Sequence, residues 1–436
     1  MSLAQQASGC SESFGTTAAA LRVLQCWREQ GKEAARQAIQ REPSQGPLML
    51  ELDRRLSGEA GPRLLLDGVW FSRPTGGISR VWEQILRCWQ LPGLFTDQAP
   101  LLVLDRESCL SRLASFSCVD MNKVNPLDCK AVAGLAGENA AVVRDWGADV
   151  FLSSWISSSG VTEPTCPEVA LVHDCMPERS SCPEDLRLLR LRWLRCASKH
   201  LAVSAHTAAD LAGLLSQPIE SIPWCHAAPD LSFASTVQDP GAEQLWKRLK
   251  TRAGITEPFV LLPATSALGS YKNPELVLRA LQEPTVQMLQ LVISGVGAEQ
   301  RSAEFENQVP SFKGRILAVG LSDLELALVY RHALAVVLPS RIEGFGLPVI
   351  EVMAAGGIPL IAESRGLKEA GGEAAPRFLA DQPSQLTVWL ELLLNPSSSA
   401  WLKMRLEPRV QKRLGRLHQD LLGLALLVQV RRAAGA

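Results

Sequence analysis

Short, wholly apolar runs alternate along the chain with longer stretches in which apolar residues recur every three or four positions. Leu64-Leu65-Leu66-Asp67, Leu101–Leu104, Val150–Leu152, Val169–Val172 and His200–Val203 are too short for helices and do not alternate with polar residues. They read as strands covered on both faces. A second series follows at Phe259–Leu262, Leu291–Gly295, Ile316–Val319, Ala333–Leu338 and Ile358–Ile361. Helical patterns lie between, among them the stretch ending at Trp89, Asp185–Ala197, and the segment to His332 that Ser322-x-x-Glu325 opens as a capping box. Strands alternating with helices predict parallel, doubly wound sheets, whose ligands bind at the carboxyl ends of the strands.

One such end holds the densest chemistry. After Ala333–Leu338 come Pro339-Ser-Arg-Ile-Glu343-Gly344-Phe345-Gly346-Leu347-Pro348, then a short helix that Gly356-Gly357 stops. Backbone N–H groups and the dipole at that helix start attract phosphate. Glu343 and Glu351 are acceptor-only groups suited to sugar hydroxyls. Other strand ends offer weaker candidates. Gly76-Gly77 precede a helix after the first strand, His173-Asp174 follow another, and Lys272 sits in Tyr271-Lys272-Asn273-Pro274. Ser204 follows a strand too, and reads either as facing the ligand or as a helix N-cap.

The run Pro-Ser-x-x-Glu-Gly-Phe-Gly-Leu-Pro-x-x-Glu-x-Met-Ala-x-Gly, with its Glu343-x7-Glu351, resembles the signature of the GT4 family of retaining glycosyltransferases (glycosyltransferase group 1). The resemblance covers about residues 64 to 385 and is strongest from Phe259 onward. It implies the GT-B architecture: two facing Rossmann-like, doubly wound α/β domains with an interdomain cleft. It also implies transfer of a sugar from a nucleotide-diphosphate sugar to a saccharide or lipid-linked acceptor, in polysaccharide or glycoconjugate synthesis. Glu343, Lys272 and His173 become the catalytic candidates. Glu351 is expected on the ribose hydroxyls, Glu343 on the donor sugar, and Gly344, Phe345, Gly346 and Leu347 beside it, with Gly76, Gly77 and Ser204 completing the donor-binding set. One departure stands out. Many members carry an Arg beside the lysine or a few residues before it, where this chain has Tyr271 and, earlier, Thr265, Ser266 and Ala267.

No two aspartates stand two apart, so no Asp-x-Asp is present to hold a metal. We therefore expect neither metal nor other cofactor, the diphosphate charge falling on Lys272, the helix start at Pro348, loop amides and His173. Competing readings are a non-catalytic sugar-nucleotide binder, a sugar-nucleotide epimerase, which the Glu-x7-Glu loop speaks against, and an NAD-dependent dehydrogenase. Ser294-Gly-Val-Gly offers only half of the dinucleotide fingerprint, which removes the last.

Residues 1–60 form a predicted helical extension (Ala18–Gln40, Leu48–Leu56) with no assignable chemistry, packing on the outside of the N-terminal domain. The expected domains are 61–238 and 239–411, joined near Pro240-Gly241, and the resemblance implies that the last helix, about 412–436, packs back on the first. The segment Trp401–Ala436 is basic, eight Lys/Arg against two acids, so a membrane-surface role is the rival for that tail, with the arginines of Asp185–Lys199 on the same surface.

Composition narrows the rest. The 436 residues are 47% apolar with net charge −1, enough for large cores and unsuited to general nucleic-acid binding. No apolar run approaches the ~20 residues of a membrane span, and the N-terminus lacks the pattern of a signal peptide. We expect a cytoplasmic protein, with peripheral contact at the inner face of the membrane as the open question. All 11 cysteines lie between Cys10 and Cys225, which suggests a boundary soon after; they are expected to be reduced and largely buried.

Overall fold

A computed structural model of the chain describes residues 10–15, 17–42, 46–73, 76–179, 182–256, 258–263 and 267–435. It divides into two compact units, Met1–Ala227 with His418–Ala436, and Ala228–Leu417. The first holds strands β1 (Leu64–Asp67), β2 (Leu101–Asp105), β3 (Ser117–Asp120), β4 (Val150–Ser153), β5 (Glu168–Val172) and β6 (Lys199–Ala202). All pair in parallel, in the order β3-β2-β1-β4-β5-β6, with Leu64 opposite Leu101 on one side and Val150 on the other.

The second unit repeats this winding with β7 (Phe259–Leu262), β8 (Gln290–Ser294), β9 (Ile316–Val319), β10 (Ala335–Leu338), β11 (Pro359–Ala362) and β12 (Arg377–Phe378). Its order, β12-β11-β10-β7-β8-β9, is again all parallel. In each sheet the strand order reverses beside the first strand, between β1 and β4 and between β7 and β10. These are the topological switch points, where loops leave in opposite directions and open a crevice. The central strands β1, β4, β5, β7, β8, β10 and β11 are buried throughout, as their uninterrupted apolar runs require.

Two differences from the sequence reading have local causes. The division falls at Ala227/Ala228, ahead of Pro240-Gly241, because the helix Leu231–Gln238 belongs to the second unit. Its Phe233 is fully buried and stacks on Tyr330, ring centroids 5.7 Å apart. Cys10 and Cys225 form a disulfide, Cα atoms 4.1 Å apart, and Cys109 and Cys118 are exposed, so the cysteines are neither all reduced nor largely buried. The apolar face of the last helix, Gln419–Ala433, is covered within the first unit: Leu421 through Val430 are all buried. Gly423 lies so close to the helix Gly77–Trp89 that a Cβ there would stand 2.6 Å from the Cβ of Cys88. Trp89 Nε1 donates to the Gly423 carbonyl at 3.0 Å, and Arg28 and Arg87 pair with buried Asp420. That face is not available to a membrane. Of the arginines of Asp185–Lys199, Arg190 is buried against Glu178 at 2.7 Å, while Arg187 and Arg195 are exposed.

The N-terminal helices Thr17–Gln30, Lys32–Gln40 and Pro47–Ser57 lie on the first unit. Gly31, at φ 93, breaks the single helical pattern of the sequence into two. Trp27 Nε1 donates to Pro92 O at 3.0 Å, and Glu51 is sandwiched between Arg55 and Arg431. No helix among the described residues is long and apolar enough to cross a membrane.

Candidate functional site

At the switch point of the second unit, the loop after β7 meets the loop after β10. Asn273 ties them together. It takes a left-handed φ of 56, which asparagine tolerates better than most residues, and is buried. Its Nδ2 donates to Pro339 O at 3.2 Å and Ala380 O at 2.8 Å. Pro274 then starts the helix Pro274–Ala280. The preceding residue, Lys272, is thereby aimed at the β10 loop, where its Nζ lies 2.5 Å from Glu343 Oε1. Burial works against the ammonium, but the Glu343 carboxylate and Tyr271 outweigh it and hold Lys272 above the ordinary lysine range. A quarter of the side chain, 26%, still faces solvent. The ammonium stands 5.2 Å from the centre of the Tyr271 ring.

The Glu343 loop is shaped by two glycines that close approach demands. Gly346 has φ 103, and a Cβ there would come within 2.8 Å of Leu367 Cδ2. Gly366, after β11, is closer still: a Cβ would stand 2.2 Å from the Glu343 carbonyl oxygen. Gly346 caps the helix Leu347–Ala354, with Pro348 in its first turn, and Gly344 and Phe345 lie in the turn before it. Phe345 and Leu347 are buried, so this loop contributes backbone to its surroundings. Glu351, one turn into the helix, is buried and accepts from Tyr330 Oη at 3.5 Å. Lys272, Glu343, Gly346 and Pro348 line one small cavity of about 30 Å³.

The sequence reading sought a guanidinium before Lys272, where Thr265 and Ser266 lie outside the described residues. The structure brings one from the other loop. Arg341 donates from its backbone to Tyr271 O at 2.9 Å and from Nη2 to Asn273 Oδ1 at 3.1 Å. Neither Arg341, Asn273 nor Gly366 was singled out as a site residue. Only the Pro after Asn273 and the Gly in Ser364-Arg-Gly hinted at them, because all three matter through contacts between distant loops.

The switch point of the first unit is built differently. Asp67, ending β1, is fully buried and holds Arg106 Nε at 2.8 Å, Asn139 Nδ2 at 3.1 Å and Ser157 Oγ at 2.5 Å. Arg106 also reaches the half-buried Glu138 at 3.0 Å, so one guanidinium serves two carboxylates in this knot. Trp70 after β1 and Trp155 after β4 pack at 4.5 Å, and neither buried indole N–H has a partner among the described residues. His173, after β5, is half-buried, and its Nε2 likewise has no partner among the described residues. Burial and nearby Arg190 push its imidazole down to about 3, so it is neutral near pH 7. Gly76, at φ 128, precedes the helix that Gly77 begins; Pro74 and Thr75 of the same loop lie outside the described residues. Ser204 is fully buried and is the N-cap of Ala205–Leu215, accepting from Thr207 N at 2.9 Å.

Residues 249–395, all in the second unit, match the family model of glycosyl transferases group 1. The glycogen synthase of Rhodopseudomonas palustris (strain BisB18) is 30% identical over 122 residues, 28% of this chain and 25% of that protein. The chain spans about a quarter to a third of the length of the curated relatives it matches. Anabaena HepE in complex with UDP-glucose superposes with a TM-score of 0.62 at 16% identity, over 84% of this chain and 98% of that one. WaaG, a glycosyltransferase involved in lipopolysaccharide biosynthesis, gives 0.64 at 14%, over 84% and 98%. With two six-stranded parallel sheets of the same winding, the chain has the GT-B fold.

Proposed function

We propose that the protein is a retaining glycosyltransferase of the GT4 type. It would move a sugar from a nucleotide-diphosphate sugar to a saccharide or lipid-linked acceptor, without a metal, in polysaccharide or glycoconjugate synthesis. The observation that carries this reading is the Lys272–Glu343 pair at the switch point, beside the glycine-started helix of a segment that matches glycosyl transferases group 1. That HepE is seen with UDP-glucose supports a nucleotide-sugar donor.

In this reading the second unit takes the donor. Lys272, with the amides at Gly346 and Leu347, stabilises the negative charge of the departing diphosphate. Glu343 then exchanges its lysine partner for hydroxyls of the donor sugar, and Glu351 serves the ribose. The bond from the anomeric carbon to the phosphate oxygen breaks, and the acceptor oxygen bonds to the same face. The acceptor proton goes to the departing phosphate oxygen, so no carboxylate nucleophile is needed. The first unit takes the acceptor, with neutral His173 and the unpartnered indoles of Trp70 and Trp155 as hydrogen-bonding groups.

A non-catalytic nucleotide-sugar binder is the second reading, favoured by the neutralisation of Lys272 by Glu343. The reading puts the protein in the cytoplasm. Exposed Trp401 and Met404 beside Arg405 on the helix Pro396–Leu414 offer a surface for peripheral membrane contact.

The test is a thermal-shift panel of UDP-, GDP- and ADP-sugars, followed by turnover of the most stabilising donor with and without EDTA. One base should raise the melting temperature, and product with retained anomeric configuration should form at equal rates in EDTA. Loss of activity in EDTA, restored by magnesium or manganese, would sink metal independence, and an inverted product would sink retention. Binding without turnover selects the second reading.

A further inference from the structure

The second unit has another cavity, of about 420 Å³, lined by the turn after the helix Leu347–Ala354 and by the helix Pro396–Leu414. Its volume is that of a small-molecule site. On one wall stand Arg331 and His332, ending the helix Asp323–His332, and at the base are Met353, Gly356 and Gly357. The other wall is one face of the long helix: Lys403, Leu406, Glu407, Val410 and Gln411, at spacings of three and four.

The charges here are unresolved. Arg331 and Lys403 interact repulsively, and among the described residues neither is paired with a carboxylate. Arg331 has a helix carbonyl end to complement, a sufficient local reason for its presence. Lys403 has none, being in mid-helix; although the residue as a whole is exposed, desolvation of its ammonium and then the field of Arg331 lower it from the ordinary lysine range. Two like charges turned into one cavity are stabilised by an anion between them. Glu407, also in the wall, rules out a ligand anionic all over. Its carboxylate can only accept, so the part of the ligand beside it must carry donors such as hydroxyls. Leu406, Val410 and Met353 supply apolar contact for a carbon skeleton.

We propose that this cavity binds a small phosphate monoester with a hydroxylated carbon skeleton, its phosphate between Arg331 and Lys403 and its hydroxyls toward Glu407 and Gln411. The site is separate from Lys272 and Glu343, which line a different cavity. It borders the carboxyl end of the helix that carries Glu351, so occupancy bears on the donor loop from behind.

The experiment is a thermal-shift titration of the full chain at low ionic strength, with inorganic phosphate and glycerol 3-phosphate as probes. Wild type, Lys272→Ala, Lys403→Gln, Arg331→Gln and Glu407→Gln are compared. Both probes should stabilise wild type and Lys272→Ala alike, glycerol 3-phosphate at lower concentration than phosphate. Lys403→Gln and Arg331→Gln should each weaken both probes about tenfold, the scale of one charge-assisted contact. Glu407→Gln should shrink the preference for glycerol 3-phosphate. Absence of a shift in wild type, or a shift that survives Lys403→Gln, overturns the proposal. A shift lost in Lys272→Ala assigns the probe to the donor site and overturns it too. Equal binding of the two probes overturns the hydroxyl part. Lys403 is exposed on its helix, so its variant reports even if Arg331→Gln fails to fold.

Discussion

The two units wind their strands in the same order, yet their switch points are furnished with opposite chemistry. Between β7 and β10 a lysine and a glutamate meet at 2.5 Å with part of each still open to solvent. Between β1 and β4 the charges of Asp67 and Arg106 are sealed inside and two indoles remain, with a neutral histidine after the neighbouring β5. A half-open ion pair can exchange partners when a charged ligand arrives; a sealed one cannot without a large desolvation cost. In the proposed reading, the same backbone makes one crevice the seat of a diphosphate and the other the seat of uncharged hydroxyls.

The sharpest way to break this comparison is to remove the cation. Lys272→Ala should lower donor turnover about a hundredfold or more, the usual loss for one preorganised charge-stabilising group. His173→Gln, measured beside it by steady-state kinetics, should cost less. If the order is reversed, the charged chemistry belongs to the first unit.

Gly366→Ala tests whether the Glu343 loop depends on close backbone approach. Its Cβ has no room beside the Glu343 carbonyl, so the loop must shift. Denaturant unfolding should show a loss of about 1–3 kcal/mol, typical of overpacking. Turnover should fall further than stability alone explains. An unchanged Tm and kcat would mean the loop is not held where it is described.

Glu351→Ala should weaken binding of the nucleoside diphosphate by about 1–3 kcal/mol, as hydroxyl donors lose a charged acceptor. Glu343→Ala should spare that binding and act on sugar-dependent turnover instead. Calorimetry showing equal losses for both variants would merge the two roles.

The smallest expected effect concerns His173. Its folded pKa, about 3, lies below the ordinary value, so the folded state binds fewer protons than the unfolded one. Stability from neutral His173 is present above the ordinary histidine pKa and is lost as pH falls from about 6.5 toward 3. Across that window, wild type should lose stability relative to His173→Gln with a slope of up to one proton. Parallel pH profiles of Tm would mean that the imidazole is protonated in the fold.

How much of this was legible in the sequence depended on how local the cause was. Buried central strands announced themselves by apolar runs, and the Ser322 capping box is present as read. Two of the four edge strands did not: β3, Ser117–Asp120, is exposed along its whole length, and β12 has only two residues. The helices Cys129–Gly134 and Ala136–Trp146 were missed because Gly134 and Gly137 interrupt a weak pattern. At the site, the loop from Glu343 to Glu351 was readable because its residues are neighbours in sequence. That Lys272 would pair with Glu343, 71 residues on, was not. Parallel pairing of β7 with β10 creates that contact, and no periodicity encodes it. For the same reason Arg341, which the β10 loop brings onto Asn273 and Tyr271, could not be placed beside Lys272 from the sequence.

The central claim is that the donor is held by the second unit, its diphosphate on Lys272 and the start of the Leu347–Ala354 helix. A crystal structure with the most stabilising nucleotide sugar bound tests it most directly. The expected density puts the diphosphate within hydrogen-bonding distance of Lys272 Nζ and the Gly346 and Leu347 amides, with Glu343 turned from the lysine to the sugar. A diphosphate bound instead at the β1 and β4 loops, with the Lys272–Glu343 pair intact, would contradict it.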